Sequence, residues 1–234
     1  VYLIANRELT MGGLVACSIL SGRCVAPLGQ IASLLTRLHH TRTAYAQIDK
    51  LMQGGNEARE DVTYLRRERL SGAIEFRNVS FKYPGASTRV LDNVSFRISA
   101  GEKVAILGRV GSGKSTIARL ILGLYQPDEG VILVDDADVR QLHPEDLRRN
   151  IGAVLQDVFL LSGSIRENIS LGDHAVDDAA VLAAAQLSGT HDFVGQLPNG
   201  YDLRLADRGE GLSGGQRQSI AIARALTLDR PILL

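Results

Sequence analysis

Between Leu9 and Leu38 apolar and small residues run almost without a break, with Arg23 and Arg37 as the only charges. Such a run exceeds the roughly 20 apolar residues that carry a helix across a bilayer. It predicts a membrane-spanning helix in preference to a long buried helix of a soluble protein. Arg23 opposes that reading, because a charge near mid-membrane costs at least about 2.5 kcal/mol unless it meets a wet cavity or a protein partner. It is therefore expected to face such a cavity or a neighbouring helix. Past Leu38 the chain becomes polar on most faces, yet Leu38, Tyr45, Ile48 and Met52 keep helical spacing, so the same helix is expected to continue out of the membrane. The charged stretch that follows is punctuated by Gly54-Gly55 and predicts a linker. The expected organisation is a membrane-domain end over residues 1–52, a linker over 53–70 and a second domain over 71–234.

From Ser71 the period changes. Ile74, Phe76, Val79 and Phe81, then Val94, Phe96 and Ile98, come close to alternation, while residues 103–107 (KVAIL) form a compact apolar run of the kind a buried strand shows. Further strands are predicted at 131–134, 151–155 and 232–234, with helices at 114–124, 144–149, 179–187 and 213–226. Strands alternating with helices predict an α/β fold with a mixed, largely parallel sheet and a ligand at the carboxyl ends of its strands.

The 234 residues carry 26 basic and 26 acidic side chains, enough chain for one α/β domain and an extra segment. A balanced charge gives no general attraction to nucleic acid, so none is expected as a partner and an anionic ligand needs a local site. Cys17 and Cys24 would stand roughly 10 Å apart along a helix, too far for a disulfide, and read as small apolar packing residues. The chain begins at Val1 and ends on the apolar run Pro231-Ile232-Leu233-Leu234, which gives the expectation of a fragment cut at both ends.

The local site is visible at Gly108-Arg109-Val110-Gly111-Ser112-Gly113-Lys114-Ser115-Thr116, after the apolar run and at the start of a predicted helix. Glycines let successive N–H groups turn inward as an anion cradle, and the helix N-terminus adds partial positive charge. In such a P-loop Lys114 reaches the β- and γ-phosphates, the Ser115 hydroxyl ligates Mg²⁺ and Thr116 supports the α-phosphate. Chance gives this pattern in about one chain of this size in a hundred, so its strand-loop-helix setting matters.

About a hundred residues on stands Leu212-Ser213-Gly214-Gly215-Gln216, directly before a predicted helix. Ser213 can cap that helix, and the two glycines leave its N-terminus open to a phosphate. A second anion-binding helix end in one domain makes sense if two copies meet. Here the sequence resembles the ABC ATPase family, whose signature is LSGGQ and whose two domains clamp ATP head to tail. The resemblance implies a homodimer in which Ser213, Gly214, Gly215 and Gln216 of one chain face the ATP and Mg²⁺ held by the other. It also implies that Tyr83 stacks on adenine and that Gln156, after the strand at 151–155, contacts Mg²⁺ and the attacking water. Residues 157–168 resemble the segment that packs on the coupling helices of exporters.

Two features depart from the family pattern. Ala206 and Asp207 stand where exporters usually carry Gly and Glu. Residues 232–234 resemble the start of the Walker B strand, yet no Asp-Glu pair and no switch histidine follows, so a hydrolysis-deficient chain is expected. His143, His174 and His191 precede the signature and read as surface residues. The stretch from Leu9 through Gly22-Arg23 to Ala26-Pro27-Leu28, together with Gly108 to Ser112 and Arg208-Gly209-Glu210-Gly211, is similar to type I secretion permease-ATPases. That subfamily implies protein or peptide export from the inner membrane of a Gram-negative bacterium, a cytoplasmic nucleotide domain, and adaptor and outer-membrane partners. The alternatives are a lipid or drug exporter of the same build, a soluble ABC-type ATPase, and an inactive nucleotide-binding remnant.

Overall fold

The computed structural model describes residues 10–54, 57–58, 62–173 and 176–234. The chain forms two compact units, Val1–Arg59 and Glu60–Leu234. Val1, Leu9, Gly55 and His174 lie outside the described residues.

The first unit is one helix, α1 (Met11–Met52), 42 residues long. Thr10 caps it by accepting a hydrogen bond from Gly13 N at 3.1 Å. At 1.5 Å per residue α1 is about 63 Å long, roughly twice the hydrocarbon thickness of a bilayer. Its most apolar window has a mean hydropathy of 1.4, so the helix is long and apolar enough to cross a membrane. Apolar side chains are not gathered on one face, which suits surroundings that are apolar all round. Ser33 and Thr36 donate their hydroxyls to the carbonyls of Gln30 and Ala32, so these polar groups are satisfied within the helix.

The second unit has two lobes. In the first, β1 (Ile74–Phe81), β2 (Leu91–Ile98), β3 (Glu129–Val134) and β4 (Ala137–Asp138) form an antiparallel sheet in the order β2-β1-β3-β4. Phe76 pairs with Phe96 on one side and Ile132 on the other, and the two phenyl rings stack at 4.5 Å. The jump in spacing from Phe76 to Val79 is a bulge: the register slips there on both neighbours, Asn78 adopts φ +50°, and both Phe76 and Val79 stay buried. Helix α2 (Lys114–Ile121) sends Ile117, Leu120 and Ile121 into the core under this sheet.

Helix α3 (Pro144–Arg149) leads into β5 (Ile151–Gly152), which pairs in parallel with β8 (Ile232–Leu233). Among the described residues the parallel pairings are this two-residue ladder and an isolated bridge between Leu65 and Leu142, while the four-stranded sheet is wholly antiparallel, so the α/β fold is less parallel than the alternation of elements suggests. The reason lies at residues 103–107. They carry no ladder, and Val104, Ile106 and Leu107 are 50%, 43% and 91% exposed, against the expectation of a buried strand. A groove of about 590 Å³, lined by Val104, Ile106, Ile117, Ile121, Ile232 and Leu234, lies beside the run. Residues within 62–70, assigned above to the linker, dock on this lobe. Arg66 and the Arg67 N–H bond to Asp146, and Leu70, 4% exposed, donates its N–H to Asn150 Oδ1.

The second lobe is helical. A short ladder joins β6 (Gly163–Ser164) to β7 (Arg204–Leu205). Around it stand α4 (Ile165–Ser170), α5 (Asp178–Leu187), α6 (Thr190–Val194) and α7 (Gly214–Leu226). Leu160, Ile165, Ile169, Val181, Ala184, Val194 and Ile220 fill its core.

Candidate functional site

The loop from Gly108 to Gly113 turns sharply into α2. Gly113 is the N-cap at φ +89°, with no side-chain cap, so N–H groups at the helix start are not taken by a capping side chain. A Cβ on Gly113 would stand 2.8 Å from Leu91 Cδ2, and one on Gly108 would stand 2.6 Å from Ser112 Oγ. Packing against β2 therefore requires glycine at 113, while at 108 a side chain would crowd Ser112 within the loop itself. Gly111, at φ +83°, is required by its backbone alone and has open space around it.

Lys114 arcs back over the loop. Its Nζ donates to the carbonyls of Gly108 and Arg109, both at 2.8 Å, and to Ser112 Oγ at 3.4 Å. All three acceptors are neutral, so an anionic phosphate entering the loop would outcompete them for the ammonium.

A cavity of about 480 Å³ surrounds this lysine and is lined by Tyr83, Val90, residues 110–116, Arg119 and Gln156. Gly111, Ser112, Gly113, Lys114, Ser115 and Thr116 are thus brought together with Tyr83 and Gln156, although these come from three separate stretches of chain. Tyr83 stands after β1, edge-on to Phe81 and Tyr125 at 5.0 and 5.1 Å. Its hydroxyl meets Thr116 Oγ1 and accepts from Arg119 Nη1, each at 3.0 Å. Gln156 is exposed at the end of the extended stretch that follows β5. Ser115 and Gln156 offer one hydroxyl and one amide oxygen, hard neutral donors that suit Mg²⁺ when phosphate oxygens and water complete its shell.

The signature residues do not line this cavity. Ser213 caps α7: its Oγ accepts from Gln216 N at 3.2 Å, and Gln216 Oε1 accepts from Ser213 N at 2.8 Å, a reciprocal capping box. A Cβ placed on Gly214 or Gly215 meets nothing within 4 Å, and neither residue has a positive φ. Their own chain gives no steric or conformational reason for glycine at either position.

Arg119 and Val90 are the cavity residues the sequence did not single out, and Arg119 is the polar one. On a helix pattern it reads as a solvated cation, and only the fold brings it to Tyr83. His143 departs from a surface reading, since its Nδ1 is buried without a partner and its ring meets Tyr64 edge-on at 5.5 Å. The metal-like grouping of His143 with Glu145 and Asp146 has its carboxylates already bonded to Arg149 and Arg66. His191 is bonded through Nδ1 to the Tyr201 hydroxyl at 2.9 Å.

The sequence profile of the family described as ABC transporter matches residues 91–234. The leukotoxin export ATP-binding protein LtxB of Aggregatibacter actinomycetemcomitans is 38% identical over 233 residues, covering 100% of this chain and 33% of that protein. The leukotoxin translocation ATP-binding protein LktB of Mannheimia haemolytica is 39% identical with the same coverage. The chain therefore spans a third of the length of these curated relatives. A solved structure of a bacterial Atm1-family ABC exporter with ATP bound superposes with a TM-score of 0.74 at 35% identity, covering 97% of this chain and 40% of that one.

Proposed function

The chain belongs to the ABC transporter family, and from that premise we propose that it is the ATP-binding portion of an exporter subunit that drives polypeptides out of a bacterium by type I secretion. The names of the leukotoxin exporters support the cargo class. The observation that carries the nucleotide reading is the cavity around Lys114, where a phosphate loop, an aromatic ring and a polar glutamine converge. The phosphate chain of ATP lies along residues 108–116, Lys114 exchanges its carbonyl contacts for phosphate oxygens, and the base stacks on Tyr83. Ser115 and Gln156 would hold Mg²⁺, which would supply positive charge to offset that of the triphosphate. Gln156 also orients the attacking water.

The glycines at 214 and 215 support a head-to-tail homodimer, in which each Ser213 helix end closes on the ATP held by the other copy. α1 sits in the inner membrane with the second unit in the cytoplasm, and adaptor and outer-membrane secretion proteins complete the export path. The 35% identity to an Atm1-family exporter favours a different cargo as the second reading, and transport assays with labelled polypeptide decide between the two.

Lys114→Ala tests the nucleotide site: ATP affinity should fall at least about tenfold, as expected for a lost charge-assisted contact. The dimer is tested by disulfide trapping between Ser112→Cys and Ser213→Cys on a Cys17→Ser, Cys24→Ser background. ATP should promote cross-linking between chains, and its absence between chains sinks the dimer.

A further inference from the structure

We propose that Arg119 is a positioning residue that, together with Thr116, fixes the ring of Tyr83 through its hydroxyl, so that the base platform and the phosphate loop move as one piece. The inference rests on the reading of Tyr83 as the surface against which the nucleotide base stacks. Tyr83 lies on the loop after β1, outside regular structure. The rings of Phe81 and Tyr125 stand nearly perpendicular to it, contacts that are less directional than a hydrogen bond. The hydroxyl end differs. It is held by two directional contacts at 3.0 Å, from Thr116 Oγ1 and Arg119 Nη1, and both partners belong to α2. The guanidinium carbon also lies 5.9 Å from the ring centroid, within cation–π range. Thr116 is buried, at 3% exposure, which makes it a fixed anchor and not a mobile surface hydroxyl.

Lys114 and Ser115 open this same helix. Any movement of the loop on closing around a triphosphate is therefore passed to the ring, and any tilt of the ring under a base is passed to the loop. Without Arg119 the loop that carries Tyr83 keeps its ring contacts but loses the bond that sets its angle, so affinity falls for ligands with a base and not for a bare phosphate chain.

The test measures dissociation constants for ATP and for inorganic tripolyphosphate by calorimetry on the full chain. Arg119→Met and Tyr83→Phe should each weaken ATP about three- to tenfold, the worth of one hydrogen bond. The double variant should be no worse than Tyr83→Phe, because both changes act through one hydroxyl. Arg119→Lys, which keeps a donor, should recover part of the loss, and tripolyphosphate affinity should stay within about twofold throughout. Equal loss for ATP and tripolyphosphate in Arg119→Met would make Arg119 a phosphate contact and overturn the proposal. Additive losses in the double variant, or an unchanged ATP affinity, would overturn it as well. If Arg119→Met fails to fold, Tyr83→Phe and Arg119→Lys carry the same comparison. Lys114→Ala is the control for the underlying reading: if it leaves both ligands bound as before, the site itself is misassigned, whatever Arg119 does.

Discussion

Arg224 donates twice to Asn168, from Nε to its main-chain carbonyl at 2.8 Å and from Nη2 to its Oδ1 at 3.1 Å. Its Nη1 also reaches Phe159 O at 3.0 Å. Asn168 is 1% exposed and bonds further to Leu161 and Ser164 through its amide. The helix that begins at the signature is thereby pinned to the segment that follows Gln156. Burial lowers the pKa of Arg224, and the acceptors it meets here are neutral, so oxygen dipoles hold the charge.

Arg224→Met would leave these oxygens short of a donor. A cost of about 2–4 kcal/mol is expected from the lost charge-assisted bonds, or a fall in Tm of roughly 5–12 °C for a domain of this size. Thermal unfolding of the variant checks it, and an unchanged melt would show that the brace carries no stability.

What the sequence made legible follows from how local each signal is. The loop at 108–116 and the Ser213 cap depend on neighbours within a few residues, so residue spacing alone placed them. Tyr83 and Gln156 are ordinary side chains until the fold gathers them, and only the family resemblance pointed to them. Residues 103–107 have the length and apolarity of a buried strand, but composition does not say whether a partner edge stands alongside. α4 is six residues long, too short for periodicity to register. Its capping box, in which Ser164 Oγ accepts from Glu167 N and Glu167 accepts from Ser164 N, was a readable start signal that pattern counting passed over.

The bulge in β1 yields a prediction about the sheet. Gly130 has φ +82°, and a Cβ there would stand 2.3 Å from Asn78 O and 2.4 Å from Arg77 O, both backbone atoms that cannot swing aside. Gly130→Ala should destabilise the domain by at least about 3 kcal/mol, since strain and collision add. Urea unfolding followed by circular dichroism is the measurement. A loss under about 1 kcal/mol would mean that the bulge relaxes freely.

Acid should weaken the fold through carboxylates whose pKa the fold lowers, Glu167 and Asp138 among them. The backbone N–H of Ser164 holds the Glu167 pKa below its ordinary 4.5. At Asp138 burial pushes the pKa up, but the side-chain and backbone donors of Arg140 outweigh it and leave the pKa below 3.8. A lowered folded pKa means stabilisation that is complete above the unfolded value and disappears as pH drops through the folded one. Stability should thus be flat above about pH 5 and decline below about 4.5. Asp138→Asn should lower stability at pH 7 and flatten the acid limb, as read from urea midpoints across pH 3–7. A parallel offset with an unchanged limb would remove Asp138 as a source of the acid sensitivity.

The signature glycines allow a prediction in which stability and function move in opposite directions. Gly214 and Gly215 occupy the first turn of α7 with no positive φ, and an added Cβ meets nothing within 4 Å. Alanine is the better helix former by up to about 1 kcal/mol, so Gly214→Ala and Gly215→Ala should leave unfolding midpoints unchanged or raised. Glycine at these positions is then explained by something that approaches from outside the chain, and the helix N-terminus favours an anion. Each variant should keep wild-type ATP affinity as a single chain, because Lys114 and its loop are untouched, yet lose ATP-dependent association by about tenfold or more. Analytical ultracentrifugation with and without ATP reads the second effect and calorimetry the first. If both variants associate normally, the open helix end is not where a second copy meets the nucleotide.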